Sequence, residues 1–335
     1  METSILERRS LMQLYTGKFK LPYPKLREKK NISLSNTNQE QDQKKIERED
    51  PSKVVVFDLD ETLGSFGDLF LLWTGIHHIY PEFDLFRKVV DIYPEFLRPG
   101  ILAILQFLYL KKNTRECEKI FIYTNNQCPP TWISLLMDYF QYKINPIISN
   151  SNSDLQENPL FDKVIGAFKI ANIAFEISRT THKKTYSDLI NCTMLPKNTE
   201  YCYIDDTHYI KMKHDKVYYI KPKAYYHPLS VQEIVERWMD TFYMEYPKIS
   251  PSYLYSWFSL HGRTGTLTGY KDILLEREID QRVSRKMMFY IREFFLLTTY
   301  HPFWKKNTGT RTNNKTKRSS LYSVKRHHKT YRKIG

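Results

Sequence analysis

Apolar positions along the chain come in two patterns. Unbroken runs of about four residues read as strands buried on both faces. Val54-Val55-Val56-Phe57, Ile120-Phe121-Ile122-Tyr123, Tyr201-Cys202-Tyr203-Ile204 and Val217-Tyr218-Tyr219-Ile220 have this form, and Val164-Ile165 is a shorter case. Between them the apolar residues recur at helical spacing. Ile101, Ile104, Leu105 and Leu108 form an i, i+3, i+4, i+7 stripe, opened by Leu97-Arg98-Pro99-Gly100 with Pro99 suited to a first helical turn. Pro129-Pro130 opens a second helix to about Tyr142, with Ile133, Leu136, Met137 and Phe140 on one side. Ser230 and Glu233 have capping-box spacing at the head of a third helix, which ends near Tyr243. Leu275, Ile279, Val283, Met287, Ile291 and Phe294 predict one long amphipathic packing helix from about Lys271 to Thr298. Strands alternating with helices predict an α/β fold whose sheet is parallel, joined by right-handed crossovers.

The same pattern divides the chain. Residues 1–50 carry a short helical stretch, Ile5 to Tyr15, and later, from Asn31 to Lys45, a polar, aromatic-free segment, so they read as a flexible N-terminal segment. Pro51 opens a folded domain over 51–245. Residues 246–304 read as a helical extension and 305–335 as a basic disordered tail. Asn145 to Glu157 reads as a loop. Residues 68–97 hold Phe70, Trp73, Tyr80, Phe83, Phe86, Tyr93 and Phe96. They are expected as a flap beside a site, as a helical insertion, or as extra core.

The chemistry gathers where the apolar runs stop. The first ends in Asp58-Leu59-Asp60-Glu61-Thr62. Two carboxylates two residues apart are costly to desolvate unless a cation joins them. The carboxyl end of a strand in an open α/β sheet is the usual ligand crevice. Asp58 and Asp60 therefore read as a Mg²⁺ and phosphate site, because Mg²⁺ takes oxygen ligands and keeps phosphate in its shell. One carboxylate can attack phosphorus while the other handles the proton. The second run ends in Thr124-Asn125-Asn126, a hydroxyl and amides able to bind phosphate oxygens without adding negative charge. The third ends in Asp205-Asp206-Thr207, a further pair of acids.

Val-Val-Val-Phe-Asp-Leu-Asp-Glu-Thr-Leu, residues 54–63, resembles the first motif of the haloacid dehalogenase superfamily. The Asp-Leu-Asp-Glu-Thr-Leu form is similar to the NLI-interacting-factor-like phosphatases, the FCP/SCP type that act on the RNA polymerase II C-terminal domain. Thr124 matches the second motif and Asp205-Asp206 the fourth. The resemblance covers about Lys53 to Tyr243. It implies a haloacid-dehalogenase-like Rossmannoid fold and a Mg²⁺-dependent phosphomonoester hydrolase that works through an aspartyl-phosphate on Asp58. Asp60 is then the acid and base, and Asp58, Asp60, Asp205 and Asp206 supply the metal site, with Asp205 supporting either the metal or the lysine. Thr62, Thr124, Asn125 and a lysine contact the substrate. That lysine is Lys184, with Lys183 as its alternative. Such phosphatases often carry lysine directly before Asp-Leu, whereas Ser187 precedes Asp188-Leu189 here. The implied substrate is a phosphorylated protein. A small-molecule or nucleic-acid-end phosphatase and a non-catalytic binding module are the alternatives.

Charge changes the picture in one place. The 335-residue chain has a net charge of +14, and Lys305 to Gly335 holds eleven Lys or Arg and no acid. The other 304 residues are then close to neutral at +3. The tail, not the body, is the candidate nucleic-acid contact. Cys117, Cys128, Cys192 and Cys202 have no zinc-like spacing and are expected as reduced thiols. No apolar run is long enough for a bilayer, and Met1-Glu2-Thr3-Ser4 does not open a signal peptide. The chain is thus expected inside the cell, cytoplasmic or nuclear, without a membrane partner.

Overall fold

A computed structural model describes residues 51–149, 158–262, 273–297 and 331–333. The expected N-terminal segment, and the basic tail apart from 331–333, lie outside the described residues. Each apolar run forms its strand. In chain order these are β1 (Lys53–Phe57), β2 (Lys119–Tyr123), β3 (Lys163–Ile165), a small hairpin of β4 (Lys169–Ile170) and β5 (Ile173–Ala174), β6 (Glu200–Ile204) and β7 (Val217–Lys221). The central sheet runs β3-β2-β1-β6-β7, all parallel. A last short strand, β8 (Tyr331–Lys333), lies parallel on the outer edge of β7. These three residues depart from the structureless tail expected there, since an open strand edge offers backbone groups for pairing.

The strands lack polar alternation because both faces of the sheet are covered. Val55, Phe57, Ile120, Ile122, Cys202, Ile204 and Ile220 point into one apolar layer, and Val54, Val56, Phe121, Tyr123, Tyr201, Tyr203 and Tyr219 into the other. The helices are α1 (Gly67–Ile79), α2 (Leu85–Ile92), α3 (Ile101–Asn113), α4 (Pro130–Ser149), α5 (Tyr186–Thr193), α6 (Val231–Phe242), α7 (Pro251–His261) and α8 (Ile273–Leu296). Of these, α5 covers the second face through Leu189 and Cys192, and the others build the first.

Three expectations are sharpened. Residues 68–97 form α1, α2 and a single 3₁₀ turn, and Trp73, Phe86, Tyr93 and Phe96 are buried in the main core, so this stretch is core packing. The second expected helix, α4, runs past Tyr142 to Ser149, because Ile144 continues its buried stripe; the loop expected from Asn145 thus starts later. In α8 the stripe Val283, Met287, Ile291 and Phe294 is buried in the same cluster as Leu254 and Phe258 of α7, whereas Leu275 is exposed. Among the described residues, no helix is long and apolar enough to cross a membrane, and the four cysteines form no disulfide.

The strand order also locates a crevice. From β1 the chain moves to β2 and β3 on one side, then returns to β6 and β7 on the other. The direction reverses between β1 and β6, and ligands of open α/β sheets bind outside the carboxyl ends of strands at such a point.

Candidate active site

The ladder itself carries the acids to one rim. Asp58 follows β1 and its N–H donates to Ile204 O at 2.8 Å; Asp205 follows β6 and its N–H donates to Ile220 O at 3.2 Å. Thr124 follows β2 and donates its N–H to Ile165 O at 3.0 Å. After Asp58 the chain turns inward at Leu59, which is fully buried, and Asp60 comes back toward the rim. The turn closes when Glu61, in the left-handed region at φ 56°, donates its N–H to Gly64 O at 2.8 Å. Gly64 is required by close approach: a Cβ there would lie 2.4 Å from the backbone oxygen of Phe96. A cleft of about 230 Å³ results, lined by Asp58, Asp60, Glu61, Thr124, Asn125, Asn126, Lys184, Asp206, Thr207 and Tyr209.

Lys184 is the lysine at the cleft; Lys183 is exposed. Its ammonium is buried and donates to Asp58 Oδ1 and, at 2.7 Å, to Asp205 Oδ2. Its placement comes from the start of α5. Thr185 caps that helix, its hydroxyl accepting from Asp188 N–H at 3.0 Å. Asp188 Oδ1 in turn accepts from Thr180 N–H and hydroxyl at 3.1 and 2.9 Å. The segment before the helix is thereby tied to its first turn, and Lys184 reaches the rim although no lysine precedes Asp188 directly. Burial disfavours the Lys184 charge, but Asp58 and Asp205 together outweigh it and hold the group above its ordinary value. Burial raises the Asp58 carboxyl, and Lys184 opposes that rise.

The four aspartates are not equivalent. Asp205 is fully buried and both its oxygens are engaged: Oδ2 by Lys184 and the Tyr203 hydroxyl, Oδ1 by Thr207 N–H at 2.8 Å. Asp206 faces the cleft, and its Oδ1 accepts from the Thr62 hydroxyl at 3.1 Å. The same hydroxyl accepts from Asp206 N–H at 3.1 Å. Thr62 is thus fully buried beneath Asp206 and outside the cleft lining, where a substrate would not touch it. Asp60 accepts from Asn126 Nδ2 at 2.8 Å, and burial raises its carboxyl. Burial, reinforced by Asp205, also raises Asp206.

Asp58, Asp205 and Asp206 each place a carboxylate oxygen within 4.8 Å of the others. Among the described residues, Lys184 is the one cation in the cleft lining, where it faces Asp58, Asp60, Glu61 and Asp206, so acids outnumber cations there and every candidate donor is a hard oxygen. The donor set fits a metal ion, and this buried triad can bind one.

Four further residues serve the site that were not among the site residues expected from the sequence. Arg98 is 1% exposed and forks to the backbone oxygens of Thr62 at 2.6 Å, Glu61 at 2.5 Å and Lys223 at 2.8 Å, bracing the turn under Asp60 and Asp206. Arg179, 2% exposed, does the same for the second strand end. It donates to Thr124 O at 3.0 Å, Gly166 O at 2.7 Å, His182 O at 3.1 Å and Asn125 Oδ1 at 2.8 Å. Asn126 holds Asp60, and Tyr209 forms a wall of the cleft. Only Asn126 had a signal, as the next amide of a polar strand end. Comparison with family models, curated proteins and solved structures found no match for the chain.

Proposed function

We propose that this chain is a haloacid-dehalogenase-like, Mg²⁺-dependent phosphomonoester hydrolase that works through an aspartyl-phosphate, most similar in kind to the FCP/SCP-type protein phosphatases. One observation carries the reading: a buried ammonium, Lys184, shared by Asp58 and Asp205 at the reversal point of a parallel sheet, in a cleft with Asp60, Thr124 and Asp206. A structural ion pair needs neither the surplus of acids nor the opening to solvent.

The chemistry follows from the contacts. An oxygen of Asp58 attacks phosphorus as the bond from phosphorus to the ester oxygen breaks. Asp60 gives its proton to that leaving oxygen; its raised carboxyl, held by Asn126, is suited to carry one. In the second half Asp60 takes a proton from water, the water oxygen bonds phosphorus, and the bond to Asp58 breaks, releasing phosphate. Lys184 and the Thr124 hydroxyl bind phosphoryl oxygens throughout, a fixed environment for charge that shifts between them. Asp58, the Asp60 backbone oxygen and Asp206 would hold Mg²⁺, with Asp205 supporting Lys184, since both Asp205 oxygens are already engaged. When bound, the ion neutralises charge on the phosphoryl oxygens and the clustered acids.

Cleft size bears on the substrate. At about 230 Å³ it is smaller than pockets that enclose a whole small molecule, commonly about 300–1,000 Å³. A phosphoryl group enters and its leaving group stays outside, which suits a phosphorylated side chain on a protein. Hydrolysis of p-nitrophenyl phosphate, with and without Mg²⁺, tests the reading. Mg²⁺-dependent turnover by the wild type and none by Asp58→Asn is expected. Equal turnover by Asp58→Asn would refute it.

A further inference from the structure

We propose that the Tyr209 hydroxyl is a hydrogen-bond donor to the phosphoryl group bound in the cleft, a binding contact additional to Lys184 and Thr124. The inference rests on the phosphoryl-transfer reading of the site and follows from a chain of contacts with fixed directions. Arg179 can only donate. Its Nη2 lies 2.8 Å from Asn125 Oδ1, so the carbonyl end of that amide faces the guanidinium. The amide's other end, Nδ2, can only donate, and it meets the Tyr209 hydroxyl at 3.1 Å. The tyrosine oxygen is therefore the acceptor in that contact, and its own proton is unused there. No described residue accepts that proton, and Tyr209 lines the same cleft as Asp58, Thr124 and Lys184.

Tyr209 is anchored at its backbone as well as at its hydroxyl. Tyr209 N–H donates to the Tyr219 hydroxyl at 3.1 Å, and the Lys184 ammonium lies 5.4 Å from the Tyr209 ring centroid. The phenol thus stands at the wall of a cleft whose other phosphate-binding groups are already fixed. Asn125 gains a second role accordingly. Its carbonyl meets Arg179 and one Nδ2–H orients Tyr209, which leaves the second Nδ2–H for the substrate in the cleft that Asn125 lines. The arrangement passes from buried Arg179 through Asn125 to Tyr209.

The test is the affinity for inorganic phosphate in saturating Mg²⁺, measured by calorimetry on the full chain as wild type, Tyr209→Phe and Tyr209→Leu. Removing a hydrogen bond to a charged acceptor is expected to weaken phosphate binding by about tenfold in Tyr209→Phe. Mg²⁺ affinity and the melting temperature should stay at wild-type values in that variant. Phosphate binding by Tyr209→Phe equal to wild type overturns the proposal while leaving the site reading intact. The same holds if Tyr209→Phe matches wild type and only Tyr209→Leu is weak, because the ring against Lys184 would then be the contribution. Absence of phosphate binding by the wild type overturns the site reading, and this inference with it.

Discussion

Three buried cations stand around the carboxyl edge of the sheet, and their partners separate the cleft from the layer behind it. Arg98 and Arg179 donate almost wholly to backbone carbonyls. Lys184 donates to two carboxylates in an opening to solvent. A guanidinium on carbonyls shapes loops: its rigid fork joins chain segments, and at Arg98 the charge is supported from nearby by Asp280 and Asp206. An ammonium between carboxylates is an electrostatic device, and a point charge suits a phosphoryl group that arrives and leaves. Burial alone would not distinguish the three.

Exchange of roles tests that contrast, and the largest effect falls on Lys184. Lys184→Met should lower hydrolysis by about a thousandfold, as for loss of a principal charge-stabilising group, read as kcat on p-nitrophenyl phosphate. If the lysine were structural, activity would fall only in proportion to the folded fraction. For Arg98→Met the expected loss is in the fold, because three backbone oxygens lose a buried charged donor. Urea unfolding should show destabilisation of about 3 kcal/mol, and any activity loss should follow the stability of the turn. A smaller effect belongs to the layer between the two. Thr62→Val removes the hydroxyl that orients Asp206 and should weaken Mg²⁺ binding by about tenfold, the lower end for outer-shell partners. Its effect on phosphate affinity should be slight, since Thr62 does not line the cleft.

The division between legible and illegible residues follows the same contrast. Asp58, Asp60, Thr124, Asp205 and Asp206 could be read because each ends an apolar run, and a parallel sheet brings such ends to one rim. Residues in the layer behind have no pattern of their own. Arg98 sits in Arg98-Pro99-Gly100, which reads as a helix start, and Arg179 sits in a loop among other polar residues. The choice of Lys184 over Lys183 depends on where Thr185 caps α5, a one-residue difference that spacing does not decide. Thr62 is adjacent to the motif acids and yet faces away, because the turn at Glu61 rotates the chain. Tyr209 becomes significant only through the orientation of Asn125, which exists only in three dimensions.

The central claim is that Asp58 is the group that takes up phosphorus. The most direct measurement is an acid-quenched single turnover with a phosphomonoester and Mg²⁺, followed by peptide mapping of the protein. The account predicts a phosphoryl group on the peptide bearing Asp58, formed and lost within the turnover and absent from Asp58→Asn. Turnover with phosphate on another residue, or continued undiminished in Asp58→Asn, would contradict it.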